Sequence, residues 1–293
     1  MVWKPKYKPI IRPIKPFVKV GGGGGKAVTP PTPPKIKHGM GWIKQHEDKR
    51  DFKFIPHPIL KANLPTHYTL RPYMPPVVDQ GNLGSCTANS IANAVYAEML
   101  RQIWKKTGTE AWLPSRLFIY YNERAMEGTV DQDAGAEIRD GFKCINSQGV
   151  CPETEWPYDI SKFTNKPGST CYTDALKDKV VQYMAVTQDL ADMKTCLASG
   201  YPFVFGFTVY DSFMSDAVAA NGIVPMPNTN TESVQGGHAV LAVGYDDHYQ
   251  RFLVENSWGT DWGMKGYFTI PYVYLANTDM ANDFWTIRLI QQS

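Results

Sequence analysis

Four residues of this 293-residue chain have types and settings suited to covalent catalysis: Cys86, His238, Asn256 and Gln80. Cys86 follows Gln80-Gly-Asn-Leu-Gly-Ser85 and opens a stretch in which Ala88, Ile91, Ala92, Val95, Met99 and Ile103 recur at helical spacing. At a helix N-terminus, unpaired amides and the positive end of the dipole favour a thiolate over a thiol. A lone cysteine is more often just a small buried side chain, so a partner is needed. His238 supplies one. It starts the run HAVLAVGY, followed by the polar Asp-Asp-His-Tyr and then QRFLVEN, which reads as a hairpin. A turn centred on Asp247 predicts His238 and Asn256 as directly opposed neighbours on one face, about 5 Å apart. An Asn there can hold one ring nitrogen and leave the other free as a general base and acid. Gln80 offers side-chain N–H donors which, with the backbone N–H of Cys86, suit an oxyanion.

The elements that must position these groups change along the chain. Helices are predicted from Cys86 to about Lys106, from Ser115 to Met126 and from Ala136 to Ser147. After about residue 200 the pattern turns to strands: PFVFGFTVY, GGHAVLAVGY, QRFLVENSW, GYFTIPYVYL and DFWTIRLI. Helices first and strands later predict an α+β chain with two differently built lobes. No internal repeat is visible.

Composition narrows the class. With 43% apolar and 20% charged residues there is ample core, and no run reaches the ~18 apolar residues of a membrane span. Prolines interrupt the N-terminus where a secretory signal would be apolar, so cytoplasmic residence or non-standard export is expected. The net charge of +2 hides an asymmetry: residues 1–38 hold eight Lys, one Arg and no acid, which leaves the rest at −7. Basic–proline pairs, five consecutive glycines from Gly21 to Gly25 and the stretch VTPPTPPK make that segment extended in expectation. Five cysteines (86, 144, 151, 171 and 196) are too dilute for a disulfide scaffold, and an odd number leaves at least one unpaired within the chain. Four of them allow up to two bridges, with no pairing favoured. Histidines 38, 46, 57, 67 and 248 lack metal-ligand spacing, so neither metal nor cofactor is expected.

The segments QGNLGSC ending at Cys86, Gly236-Gly237-His238-Ala-Val, Glu255-Asn-Ser-Trp258-Gly, Trp262-Gly and Gly266-Tyr-Phe resemble the papain-like cysteine peptidases. GWIKQHEDKRDF, GVCPETEWPY and GYPFVFGFTVYDSF look like the bacterial, xylellain-like branch of that family. The resemblance covers roughly residues 41–290. It implies a two-lobe fold, one lobe helical and one β-barrel-like, with the active-site cleft between them and chain ends that cross over. It implies Cys86 as nucleophile, His238 as acid/base, Asn256 orienting the imidazole, Gln80 in the oxyanion hole and Trp258 shielding the His–Asn bond. Gly135, Gly237 and Trp258 are the expected substrate-binding positions; Gly135 also reads as a plain helix-entry glycine. Two departures stand out. Leu83 and Thr87 occupy positions where the family often has a cysteine and an aromatic residue, so the usual disulfide there is absent.

The expected organisation is a basic N-terminal extension (1–38), a connecting segment (39–63), a mainly helical lobe (64–195) and a mainly β lobe (196–293). The expected function is peptide-bond hydrolysis by a monomer on peptide or protein substrates, with part of residues 1–38 lying along the cleft as an intramolecular inhibitor. Two other classes fit less of the sequence: an idle binding module whose basic tail recruits an anionic partner, and a cysteine acyl transferase. An intact Cys–His–Asn set disfavours the first, and nucleic acid is not expected as a partner.

Overall fold

The computed structural model describes residues 38–103 and 111–291. The expected inhibitory extension therefore lies almost wholly outside the described residues. In chain order the elements are β1 (Trp42–Ile43), α1 (Pro58–Ala62), β2 (His67–Thr69), α2 (Cys86–Ile103), α3 (Arg116–Glu127), β3 (Ala136–Glu137) and α4 (Ile138–Ser147). Then come α5 (Ser169–Ala175), β4 (Val180–Ala185), α6 (Leu190–Ala198), β5 (Phe203–Tyr210), α7 (Asp216–Asn221) and β6 (Val234–Asp246). The chain ends with β7 (Arg251–Glu255), β8 (Tyr267–Pro271), α8 (Tyr272–Ala276) and β9 (Ala281–Ile290).

Local chemistry sets the helix ends. Ser115 caps α3 by accepting the N–H of Phe118, and Gly128 closes it in the left-handed region at φ 74°. The apolar stripe of α2 is buried as its spacing predicts, with Ala88, Ile91, Ala92 and Val95 all inaccessible. It packs against β6 and β9 on one side and α3 and α4 on the other. Tyr272 to Ala276 form a helix where a continuing strand was expected. Pro271 brings no N–H to extend the ladder, and the chain turns there.

Seven strands make the main sheet, in the order β4-β9-β5-β6-β7-β8, and every pairing is antiparallel. β2 pairs with β6 beyond the end of β5. Phe203, Phe205 and Phe207 share one face of β5 and meet Phe252, Phe284, Phe213 and Phe268, so the sheet carries an aromatic core. The boundary expected between residues 195 and 196 falls inside α6, and β2 and β4 join the sheet from the first half. No single cut along the chain separates helices from strands. The α+β character is the expected one, although the strands form an open antiparallel sheet and not a closed barrel. Among the described residues no helix is long and apolar enough to cross a membrane.

Candidate active site

Cys86 is the first residue of α2, and Ser85 O accepts the first helical bond, from Asn89 N–H at 3.0 Å. The N–H of Cys86 is thus one of the helix's free donors by construction. Two backbone N–H groups point at its sulfur: Ala239 N and Gly41 N, each 3.3 Å from Sγ. Ala239 is the neighbour of His238, so β6 delivers the imidazole's strand directly to the thiol. Burial pushes the thiol up to about 11, against the two N–H donors that pull it down.

His238 is fully buried and its Nε2 lies 2.8 Å from Asn256 Oδ1. That oxygen also accepts the N–H of Ser257 at 2.9 Å, which fixes the amide's orientation. An oxygen facing Nε2 requires the proton there, so the neutral ring keeps its lone pair on Nδ1. Nδ1 has no hydrogen-bond partner among the described residues. Burial holds the imidazole down to about 4, the Asn256 bond opposing. Trp258 stacks on this ring at 4.8 Å between centroids.

The route by which His238 and Asn256 meet differs from expectation. Near this end of the hairpin, Leu241 pairs with Glu255 and Ala242 with Val254. Continuing that register sets Asn256 opposite Val240, and His238 opposes Phe207 on β5 instead. The shift is two residues, which preserves the face, so the pair meets diagonally. The hairpin turn is longer than supposed, which shifts Gly244 three residues, onto Leu253; the bulge between Ala242 and Gly244 takes one back and leaves two.

Gln80 is buried, with Oε1 accepting the Ser257 hydroxyl at 2.5 Å and Nε2 donating to Leu83 O at 2.9 Å and Gly39 O at 3.0 Å. Its own N–H donates to Ser257 O, tying the glutamine loop to the asparagine loop. Tyr158 donates to Gln80 O at 3.0 Å, and the Arg116 guanidinium stacks on Tyr158 at 3.9 Å while donating to Asp79 O. Thr87 donates to the buried Glu123 where an aromatic residue was the family's habit. Arg116 and Glu123 carry no sequence signal that separates them from ordinary polar residues, while Ser257 and Tyr158 lie in the family-like segments ENSWG and GVCPETEWPY without a role being read for them.

A second absentee from the sequence reading is larger. Residues His38 to Trp42 run across the site. His38 stacks on the other partner-bearing ring, Trp258, at 4.5 Å. Gly39 O meets Gln80, Gly41 N meets the sulfur, and Gly41 O accepts Ala136 N–H at 2.8 Å. Trp42 then pairs in parallel with Ala136. A side chain could not be added at Gly39 or Gly41: a Cβ would lie 2.0 Å from Leu83 O and 1.9 Å from Gly84 O respectively. Gly135 at φ 76° backs onto Gly41 O, and Gly237 backs onto Trp42, so all three expected substrate-binding positions touch this segment. The Gly-Met-Gly-Trp run was the available clue, read from sequence as the start of the connecting segment and, from Gly41, as family-like, with no contact to the site foreseen.

All five cysteines are free thiols. Among the described residues, one His/Cys/Asp/Glu group brings its ligating atoms within 4.8 Å: Cys151, Glu155 and Cys171. Cys151 and Cys171 pack in a small cluster with Phe118 and Ala175, apart from the main core.

Comparison with known proteins gives a consistent neighbourhood. The family model described as "Papain family cysteine protease" matches residues 64–284. An uncharacterized peptidase C1-like protein of Acanthamoeba polyphaga mimivirus, L477, is 43% identical over 277 residues, which is 86% of this chain and 88% of the viral one. The crystal structure of xylellain, a cysteine protease from Xylella fastidiosa, superposes with a TM-score of 0.79 at 43% identity, covering 88% of this chain and 98% of that one. Digestive procathepsin L 3 of Tenebrio molitor shares the fold at 18% identity, with a TM-score of 0.64 over 87% of this chain and 77% of that one.

Proposed function

This chain belongs to the papain family of cysteine proteases, and we propose that Cys86, His238, Asn256 and Gln80 carry its peptide-bond hydrolysis while residues His38–Trp42 hold the site closed. The observation that carries the reading is the position of Cys86 Sγ, at the start of α2 and 3.3 Å from the N–H of the residue after His238.

With the segment displaced, His238 Nδ1 takes the thiol proton and the sulfur attacks a peptide carbonyl carbon. The oxyanion accepts the N–H of Cys86 and the Gln80 Nε2–H now bonded to Gly39 O, whose carbonyl stands in for it. As the tetrahedral intermediate collapses, the C–N bond breaks and His238 gives its proton to the leaving amine. Water, deprotonated by the same nitrogen, then attacks the thioester and releases the acid and the thiol. Asn256 keeps the ring's other nitrogen protonated and aimed throughout.

Support for restraint comes from the polarity of the bound segment. The imidazole protonates the leaving amine, so the C-terminal half of a substrate must lie on the Trp258 side. In this chain the N-terminal residue of the segment, His38, lies there. The segment therefore runs opposite to a substrate, and its carbonyls are presented the wrong way for cleavage.

The test is labelling and turnover on the full chain. Iodoacetamide should modify Cys86 ahead of the other four buried thiols, faster in Trp42→Ala than in wild type, and a peptide substrate should be cleaved without added acceptor. Cys86→Ala should be inert in both assays. Hydrolysis that survives in purified Cys86→Ala protein would overturn the assignment.

A further inference from the structure

Two thiols and a carboxylate converge where the loop that follows α4 meets α5. The chain turns back on itself at Pro152, whose carbonyl accepts the Glu155 N–H at 3.0 Å, so Glu155 returns beside Cys151. Cys171, in the first turn of α5, faces the same loop, its Sγ 3.9 Å from Glu155 O. The two sulfurs and a Glu155 carboxylate oxygen all lie within 4.8 Å of one another. No histidine takes part, so a reading by histidine spacing passes the group by.

The frame around these groups is firm. Cys151 O accepts the Ser115 N–H at 2.8 Å, and the Ser115 hydroxyl donates to Trp156 O at 2.6 Å. Both ends of the turn are thereby fastened to the start of α3. Both cysteines are buried, while Glu155 is exposed. The carboxylate thus stands at the mouth, where an ion arriving from water meets it first. Lys177, the cation whose charge bears on Glu155, is itself paired with Asp174.

We propose that Cys151, Cys171 and Glu155 bind a zinc ion, with water as the fourth ligand. Tetrahedral zinc holds two sulfurs and an oxygen about 3.5–3.8 Å apart. From 4.8 Å or less, rotation of the exposed Glu155 side chain and small shifts of the sulfurs close the site. Two thiolates select against calcium and magnesium, which take oxygen ligands. A disulfide would use the sulfurs and make no use of the carboxylate. Each thiol releases its proton to solvent as its sulfur–zinc bond forms. The ion ties α5 to the turn and so to α3, whose Arg116 pairs with Glu153 of the same turn at 2.7 Å.

The experiment uses the full chain carrying Cys86→Ala, so that the catalytic Cys–His pair cannot compete for metal. The protein is reduced, stripped with a chelator and titrated with Co²⁺, then with Zn²⁺. One equivalent of cobalt should bind with a Kd of about 1 μM or below and give sulfur-to-cobalt charge-transfer absorption, which zinc then removes. Zinc should raise the Tm, because it binds the folded form. Glu155→Gln, at an exposed position, should weaken cobalt binding about 10-fold or more, since even outer-shell partners of metal ligands are worth that much. Cys151→Ser and Cys171→Ser should each cut the charge-transfer absorption, and Cys196→Ala should leave it unchanged. Absorption that persists in full in Cys151→Ser, equal affinity in Glu155→Gln, or no cobalt binding by the reduced chain would each overturn the site. A Cys151–Cys171 disulfide that forms in air despite saturating zinc would overturn it in favour of a redox bridge.

Discussion

With Nε2 given to Asn256, His238 keeps Nδ1 as its proton-accepting atom, and its burial together with that of His38 makes the closed site sensitive to acid. If closing is what buries His238, the closed form's stability is complete above the ordinary histidine value, 6.5, and is lost as pH falls towards about 4. Cys86 works from the other side: a thiol raised from 9.0 to about 11 favours the closed form until pH rises through that interval. The closed arrangement should hold best between these limits. The His238 shift corresponds to on the order of 3 kcal/mol at its full extent. Full-length protein held at pH 4.5 and assayed at a common pH should therefore be several-fold more active than protein held at pH 7.5, and identical activities would sink this linkage. Gln80 has a separate signature. In the Trp42→Ala background, Gln80→Ala should lower kcat by about 10²-fold with little change in KM, because its N–H acts on charge that develops during attack. A loss confined to KM would remove it from the oxyanion role. Nothing in the sequence marks which hydrogen of this amide is committed to Leu83 and which is free to change partner; that division is set by two carbonyls that arrive from different loops.

At the scale of elements, α2 and β7 are joined by a buried carboxyl that the chemistry does not use. Asn93 of α2 donates to Glu255 at the end of β7, and burial raises Glu255 to about 8, opposed by Arg71 and the Tyr267 hydroxyl. An acid raised in the folded state costs stability as pH climbs from its unfolded value, 4.5, to its folded one. Glu255→Gln should therefore become relatively more stable than wild type between pH 4.5 and 8, by at most about 5 kcal/mol less what its hydrogen bonds lose. Thermal unfolding across that range checks it; a difference in Tm that stays constant with pH would show that the carboxyl is not the cause. The helices carrying this framework were legible because their signals are short-range: the stripe on α2 and the Ser115 cap on α3 lie within the segments they shape. The hairpin was legible in its face but not its register, since the length of the turn sets the pairing, and the bulge that restores an even shift leaves no mark in the alternation.

For the whole molecule, the contrast between a tail at +9 and a body at −7 suggested restraint by charge from residues 1–38. Residues 1–37 lie outside the described residues; among the described ones, contacts on the site come from residues 38–42, through backbone hydrogen bonds and one indole. If residues 38–42 are enough for the restraint, deleting residues 1–37 should leave the rate on a small peptide nearly unchanged, while Trp42→Ala in the full chain should raise kcat/KM by about 10-fold or more, as expected for losing a large buried side chain. Added salt should matter little to either rate, because screening acts on exposed charges rather than on buried bonds. A rate that rises on deletion of 1–37 alone, or steeply with salt, would return the restraint to the basic tail. The sequence by itself determined the family and the α+β character and singled out Cys86, His238, Asn256 and Gln80 as candidates, because residue type and local motif are written in consecutive positions. Only the tertiary structure decided that Gly41 lies on the sulfur, 45 positions away, and that Trp42 meets Asp283 across 241. Such pairings leave no periodic trace. They exist because loop closure costs grow slowly with chain length, so distant segments can meet wherever shape and hydrogen-bonding groups match.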